Sequence, residues 1–227
     1  MFNYEKVGAV IVAAGSSIRM GGINKMFALI AGKPVLARVV SAFEAAPSVD
    51  SIAVVLNEID FDRGRNLAAT EHWQKVTALV SGGALRQDSV KAGLTNLPDC
   101  KWFVIHDGAR PLVTVDLIEA GLRAAEATGG AIAAVAVTDT IKEERGGLIV
   151  RTHPRTVLRA AQTPQVFRAD IIKGAYEQAA GEVTDDASLV ESLGHRVGLY
   201  LGDYQNIKIT TPIDLTYAEI LWHRERY

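Results

Sequence analysis

Cysteine occurs once in the 227 residues, at Cys100, which excludes an intramolecular disulfide and a Cys-rich metal site. Neither sign of charge dominates: the formal net charge is -2 at pH 7. That balance offers no electrostatic footprint for nucleic acid or for an anionic membrane surface. No apolar run is long enough to span a bilayer. Residues 1–6 are polar and the apolar run behind them is short, unlike a secretion signal, so a cytoplasmic location is expected. Internal repeats, low-complexity tracts and linker-like stretches are also missing. What is abundant is core material, 48% hydrophobic residues, in a length that allows one large domain or two small ones.

The chain is organised around residues 7–25, VGAVIVAAGSSIRMGGINK. The apolar opening, rich in Val and Ile, reads as a strand buried on both faces of a parallel sheet. It stops at Ala13-Ala14-Gly15 and gives way to a small-residue loop carrying Gly21, Gly22 and two cations, Arg19 and Lys25. A strand feeding such a loop presents backbone N–H groups to a phosphate, and Arg and Lys supply the positive charge. The expectation is a nucleoside-triphosphate site at the carboxyl end of the first strand. Two common phosphate loops do not match. The P-loop would need Gly where Met20 stands and Ser or Thr after Lys25, and the dinucleotide fingerprint would need Gly where Ser17 stands. From this loop alone, a Gly-rich turn with solvated cations stays open.

Strand and helix signals then alternate. Helices are expected over residues 33–46, within 57–74, and over 87–97, 115–128 and 169–180, with strands over 51–56, 76–80, 102–105 and 131–137. Pro98 is expected to stop the third helix. Thr184 reads as the N-cap of a further helix, strands follow over 196–201 and 207–210, and Thr211-Pro212 opens the closing helix. Repeated β-then-α order predicts an α/β fold with a doubly wound, mostly parallel sheet, as a single domain over 1–227. Residues 138–155 break the pattern. Two antiparallel strands, 138–142 and 148–152, flank a Glu-Glu-Arg-Gly-Gly turn and form an arm leaving the main sheet. A lone hairpin is marginal in water, so the arm packs on a second subunit or stays a solvated surface hairpin.

Polar clusters fall at strand ends, where open α/β sheets bind ligands. Gly82-Gly83-x-x-Arg86-x-x-Ser89 allows backbone to approach a flat ring, with Ser89 able to bond a base or its own helix backbone. His106-Asp107-Gly108-Ala109-Arg110 places a carboxylate beside a guanidinium, to hold Mg²⁺, orient a ribose or close a turn as a structural pair. His106 is given no chemistry.

Ala13-Ala14-Gly15-x-x-x-Arg19-Met20, followed by Lys25, resembles the signature loop of sugar-phosphate nucleotidyltransferases, with Asn24 where those families usually place Pro. Further along come the Gly82 and Asp107 motifs, Asp139-Thr140-x-Lys142, Gln162-Thr163-Pro164-Gln165-x-Phe167, Thr184-Asp185-Asp186-Ala187-Ser188 and Asn206-Ile207-Lys208-Ile209-Thr210. In this order they resemble the 2-C-methyl-D-erythritol 4-phosphate cytidylyltransferase family across almost the whole chain. The resemblance implies transfer of CMP from CTP to that polyol phosphate in non-mevalonate isoprenoid biosynthesis, with Mg²⁺, by a homodimer whose arms cross over. It implies catalytic roles for Arg19, Lys25, Arg155 and Lys208. Ala13, Ala14, Gly15, Gly82, Gly83, Ser89 and Asp107 would bind the nucleotide, with Asp107 also near the metal. Thr140, Arg155, Thr163 and Thr184 would hold the acceptor. Two other readings are a cytidylyltransferase for another polyol phosphate, such as ribitol 5-phosphate, and a non-catalytic nucleotide-binding protein.

Overall fold

The computed structural model describes residues 1–97, 99–178 and 181–224. Strand β1 (Val7–Ala13) lies inside a seven-stranded sheet, and its apolar run reflects burial on both faces. It pairs in parallel with β4 (Ser51–Leu56) on one side and β6 (Trp102–Asp107) on the other. Between β1 and β4 come a short hairpin, β2 (Leu29–Ile30) and β3 (Lys33–Pro34), and helix α1 (Val35–Ala45). Helix α2 (Phe61–Thr70) leads to the edge strand β5 (Val76–Ser81), and α3 (Arg86–Thr95) returns to β6. Helix α4 (Val115–Ala125), capped by the Thr114 hydroxyl accepting from Leu117 N–H, leads to β7 (Gly130–Ala136).

Beyond β7 the arm folds as β8 (Lys142–Arg145) and β9 (Leu148–Thr152), a separate two-stranded sheet turning at Gly146-Gly147. Strand β10 (Arg159–Arg168) then inserts antiparallel between β6 and β7. Helices α5 (Ala169–Gln178) and α6 (Asp186–Ser192), the other edge strand β11 (Gly198–Leu201) and α7 (Pro212–Arg224) complete the order β11-β7-β10-β6-β1-β4-β5.

Alternating residues of β1 feed two cores. Val7, Ala9 and Ile11 pack with Val39 and Phe43 of α1 and Ile118 and Leu122 of α4. Val10 faces the other way, towards Val90 and Leu94 of α3 and Ile172 of α5. A third cluster, Met20, Ile30, Val35, Ile209 and Ala218, seats α7. Arg38 reinforces it by donating to the Ile30 and Ala31 carbonyls while lying over the Trp222 ring.

The α/β architecture agrees with the sequence reading, with four corrections. β10 was not expected: no element was assigned between the arm and the helix at residue 169, and Pro164 argues against a central strand there. The strand tolerates Pro164 through a register shift between Ala161 and Gln165. Both nearby glutamines are buried with their polar atoms paired, Gln162 to the Asp203 backbone and Gln165 to the Asp185 side chain and Ala187 N–H. The arm's first strand starts at Lys142, not at residue 138. Residues 207–210 form no strand; Ile209 N–H donates to the Ala109 carbonyl instead. The α6 cap is Asp185, whose carboxylate accepts from Ser188 N–H, not Thr184. The expected stop at Pro98 and helix end at residue 180 lie outside the described residues.

Candidate active site

The carboxyl ends of β1, β5 and β6 open on one cavity of about 380 Å³, within the range of small-molecule sites. Its walls are Val12 to Ser16 at the end of β1, Gly83 to Arg86 and Ser89 after β5, and Asp107 and Ala109 at the end of β6. Lys25, Met26, Asn57 and Lys208 complete the lining. Residues far apart in sequence therefore meet because their parallel strands end on the same side of the sheet: β6 neighbours β1, and β5 lies one strand further, beyond β4.

The loop after β5 is packed too tightly for side chains. A Cβ on Gly82 would stand 2.3 Å from Ala14 Cβ, and one on Gly83 would stand 2.2 Å from Asp88 Cβ. Gly82 thus lies behind the cavity wall, where it lets the β5 loop close on the β1 loop. Ser89, 2% exposed, accepts from Gly83 N–H at 3.2 Å and donates to the Leu85 carbonyl at 3.3 Å. Its single proton is committed, and one lone pair stays available for a donor in the cavity.

Charge concentrates on Asp107. Lys208 Nζ lies 2.8 Å from Oδ2, Arg86 Nε 3.3 Å from Oδ1, and Arg110 Nε 3.7 Å from Oδ2. Burial alone would raise this carboxyl's pKa; the Lys208, Arg86 and Arg110 charges outweigh it and hold the group far below the usual carboxylate range. Arg86 also donates Nη2 to Asp186 at 2.8 Å, and Asp186 accepts from Tyr176 OH at 2.5 Å. Lys25 differs: among the described residues its ammonium makes no hydrogen bond or ion pair. Burial lowers its pKa, the charges of Lys208 and Arg19 lower it further, and Asp107 opposes in part. An amine held among cations in a half-buried cavity is suited to receive a polyanion.

A buried chain of bonds supports Asp107 from behind. Its N–H donates to Thr163 Oγ1 at 3.1 Å, and Thr163 Oγ1 lies 3.0 Å from His106 Nδ1. His106 Nε2 lies 3.2 Å from the Arg110 carbonyl, which can only accept, so Nε2 carries the proton and Nδ1 accepts from Thr163. Burial lowers the His106 pKa to about 4, keeping the ring neutral.

Of the residues singled out in the sequence, Ala13, Ala14, Gly15, Lys25, Gly83, Ser89, Asp107 and Lys208 line the cavity. Arg19 is exposed on the turn Ile18–Met20, near enough for its charge to act on Lys25. Thr163 is 4% exposed, with its hydroxyl turned to Asp107 and His106 and away from any open wall. Thr184 is exposed before α6. Thr140 and Arg155 are exposed in the arm, Arg155 donating to the Thr138 carbonyl at 2.9 Å.

Sequence reasoning gave no role to Arg86 or Asp186, although both stand inside quoted motifs; a buried Arg–Asp link 100 residues apart leaves no local signal. Asn24 was noted only as a departure. Its Nδ2 donates to both carboxylate oxygens of Asp60, at 2.8 and 2.9 Å, and its Oδ1 accepts from Met26 N–H at 3.2 Å.

The family model described as 2-C-methyl-D-erythritol 4-phosphate cytidylyltransferase matches residues 7–224. A protein of that name from Dehalococcoides mccartyi (strain CBDB1) is 55% identical over 227 residues, covering 100% of both chains. One from Geotalea uraniireducens (strain Rf4) is 43% identical, over 94% of this chain and 95% of that protein. The crystal structure of 4-diphosphocytidyl-2C-methyl-D-erythritol synthase from Anaerococcus prevotii DSM 20548 superposes with a TM-score of 0.86 at 28% identity, covering 97% of each chain. That of the 2-C-methyl-D-erythritol 4-phosphate cytidylyltransferase from Thermus thermophilus gives 0.76 at 31% identity, over 94% of this chain and 98% of the other. A small-residue loop, a cation-ringed carboxylate and a glycine-lined wall thus occur within a chain matched almost end to end, which belongs to the 2-C-methyl-D-erythritol 4-phosphate cytidylyltransferase family.

Proposed function

We infer that the chain transfers CMP from CTP to 2-C-methyl-D-erythritol 4-phosphate, giving 4-diphosphocytidyl-2-C-methyl-D-erythritol and pyrophosphate, in isoprenoid biosynthesis. The observation that carries this is Lys25, an ammonium unpaired among the described residues and facing the loop Ala13-Ala14-Gly15 in a cavity shared with Lys208 and Ser89. A phosphate oxygen of the acceptor attacks the α-phosphorus of CTP as the bond from that phosphorus to the bridging oxygen breaks. Pyrophosphate leaves with the bonding pair. The attacker is already an anion, so no covalent enzyme intermediate is needed, and catalysis is positioning plus charge stabilisation. Lys25 and Arg19 neutralise charge on the α-phosphate, and Lys208 bridges from Asp107 towards the phosphates. The free lone pair on Ser89 accepts from the cytosine amino group, and the packed backbone at Gly82-Gly83 is the feature proposed to favour this single-ring base over a purine.

Among the described residues no group of three or more His, Cys, Asp or Glu side chains could hold a metal unaided. Mg²⁺ is commonly bound through one or two carboxylates plus substrate phosphates, and Asp107, the acid lining the cavity, fits that pattern. Asp107 and the triphosphate would hold the ion, which when bound supplies Lewis-acid stabilisation of the leaving pyrophosphate.

The acceptor half is proposed to be completed by a second copy. Thr140 and Arg155 sit on an arm whose strands β8 and β9 are exposed along their whole length. Leu148, Ile149 and Val150 are 73%, 65% and 53% exposed, apolar surface that a partner subunit would cover. The proposal is a homodimer of single-domain chains, each lending its arm over residues 138–155 to the other. No described helix is long and apolar enough to cross a membrane, and a cytoplasmic location, with neither nucleic acid nor membrane as partner, belongs to the same proposal. Pyrophosphate release from CTP, measured with 2-C-methyl-D-erythritol 4-phosphate, with ribitol 5-phosphate and with no acceptor, tests the reading. Release with the first acceptor alone is expected, and none with any acceptor would leave only nucleotide binding.

A further inference from the structure

The loop carrying Lys25 has little regular structure of its own. It bends through left-handed backbone at Ser17, Gly21 and Gly22 and contains one three-residue turn. Lys25 is nevertheless followed by Met26, 2% exposed in the core, so the loop must be tied down close to the lysine. Two ties flank it, both from the start of α2. On one side Asn24 Nδ2 grips Asp60, itself only 7% exposed, while Asn24 Oδ1 and its carbonyl accept from the N–H groups of Met26, Phe27 and Ala28. On the other side the Arg63 guanidinium lies 3.9 Å over the Phe27 ring and 3.9 Å from Asp60 Oδ1. Asn24, Asp60, Arg63 and Phe27 thus close a ring around the lysine's backbone. Proline would stiffen this position through its ring, but it could make neither side-chain bond.

We propose that Asn24 and Asp60 form a latch that fixes the Lys25 backbone, making Asn24 a positioning residue that acts on phosphoryl transfer through Lys25. The inference rests on the cytidylyl-transfer reading above. Neither Asn24 nor Asp60 lines the cavity around Asp107; both line an adjoining one that shares Gly15, Ser16 and Asn57 with it, so the latch sits beside the phosphate loop and acts on Lys25 through the backbone. Releasing it lets the ammonium swing without removing it. Small misplacements of a reacting group reduce turnover strongly while leaving ground-state binding nearly intact.

The test uses the full chain, with CTP and 2-C-methyl-D-erythritol 4-phosphate as substrates and pyrophosphate release as readout. Asn24→Ser keeps an acceptor for the Met26 N–H and removes the amide NH₂ that reaches both Asp60 oxygens, leaving one hydroxyl proton on a side chain shorter by one atom. Its kcat should fall roughly tenfold to a hundredfold, with the KM for CTP within about threefold of the unaltered value. Asn24→Asp should be at least as impaired, since two carboxylates then face each other. Exchanging the partners in Asn24→Asp/Asp60→Asn rebuilds the amide–carboxylate bond in reverse, and kcat should return to within about threefold. Thermal melting of each variant separates loss of turnover from loss of folded protein. An unchanged kcat in Asn24→Ser, a defect confined to KM, or an exchange variant no better than Asn24→Asp overturns the inference alone. Absence of pyrophosphate release by the unaltered chain overturns the transfer reading and the latch with it.

Discussion

Arg86 donates Nη2 to Asp186, a carboxylate with 0% exposure, at 2.8 Å, and so ties the base of α3 to the first turn of α6. The same guanidinium reaches Asp107 with Nε, so a wall of the cavity and the core behind it share one cation. The two carboxylates raise the Arg86 pKa despite the opposing effect of burial.

Asp186→Ala should therefore destabilise the fold. It strands the Arg86 guanidinium and the Tyr176 hydroxyl without their shared acceptor, at a cost of about 3 kcal/mol. Urea denaturation measures it. A change under about 0.5 kcal/mol would mean that water replaces the carboxylate without loss.

Lys25→Ala should lower turnover far more than CTP affinity. Removing one charged donor aimed at transition-state charge raises the barrier by about 3 kcal/mol, roughly a hundredfold in rate. Steady-state kinetics with both substrates decides it: an unchanged kcat with a raised KM would make Lys25 a binding group only.

Binding of CTP should weaken in the alkaline range. Burial and the neighbouring cations lower the Lys25 pKa in the free chain, and a bound triphosphate raises it, so the complex holds more of that proton than the free chain. Affinity is then full below the free-chain pKa, which lies under the ordinary 10.5, and is lost as pH rises through it. Isothermal titration of CTP between about pH 7 and 10 should show this fall, and Lys25→Arg, which stays protonated, should flatten it. An identical fall in both proteins would assign the titration elsewhere.

His106 predicts an acid-sensitive fold. Its pKa is about 4 in the folded chain against 6.5 ordinarily, so below 6.5 the unfolded state takes up the proton first. Stability is full above that value and declines as pH falls towards 4, by roughly 3 kcal/mol at most. The Asp107 contribution belongs to a lower window, below its ordinary 3.8, and does not overlap. His106→Gln should have a shallower slope between pH 6.5 and 4 in chemical denaturation; an unchanged slope would move the effect to another group.

Mixed dimers test the arm. Lys25→Ala and Arg155→Ala, each impaired alone, should recover activity when co-expressed as hybrids if Arg155 serves the neighbouring site, because one site then holds both residues intact. Hybrids that stay inactive, with the dimer confirmed by sizing, would return Arg155 to its own chain.

Much of this molecule was legible locally. The β1 run, the glycines after β5 and the acid at the end of β6 are short signals whose meaning lies within a few residues. They located the cavity wall and one of its cations, Lys25; Lys208 entered only through the family resemblance. What escaped was long-range or locally contradictory. β10 hid behind Pro164 and two glutamines whose partners, Asp203 and Asp185, lie 20 or more residues away. Asp186 stood inside a quoted motif with no role of its own until its burial against Arg86 appeared. Asn24 looked like a missing proline because its partner stands 36 residues downstream.

The antiparallel insertion of β10 also makes the central sheet independent of the arm. The arm leaves from β7 and re-enters through β10, and its roots face each other in register, Ala136 opposite Arg159 and Val135 opposite Ala160. The gap at the base is already closed by sheet pairing, so a turn of roughly two to five residues could bridge it without shifting any strand. The arm is in that sense excisable. A chain shortened there would keep its central sheet and nucleotide cavity while losing Thr140 and Arg155, so the residues proposed above for subunit pairing and acceptor capture sit on a segment that can change in length and sequence under few constraints from the core.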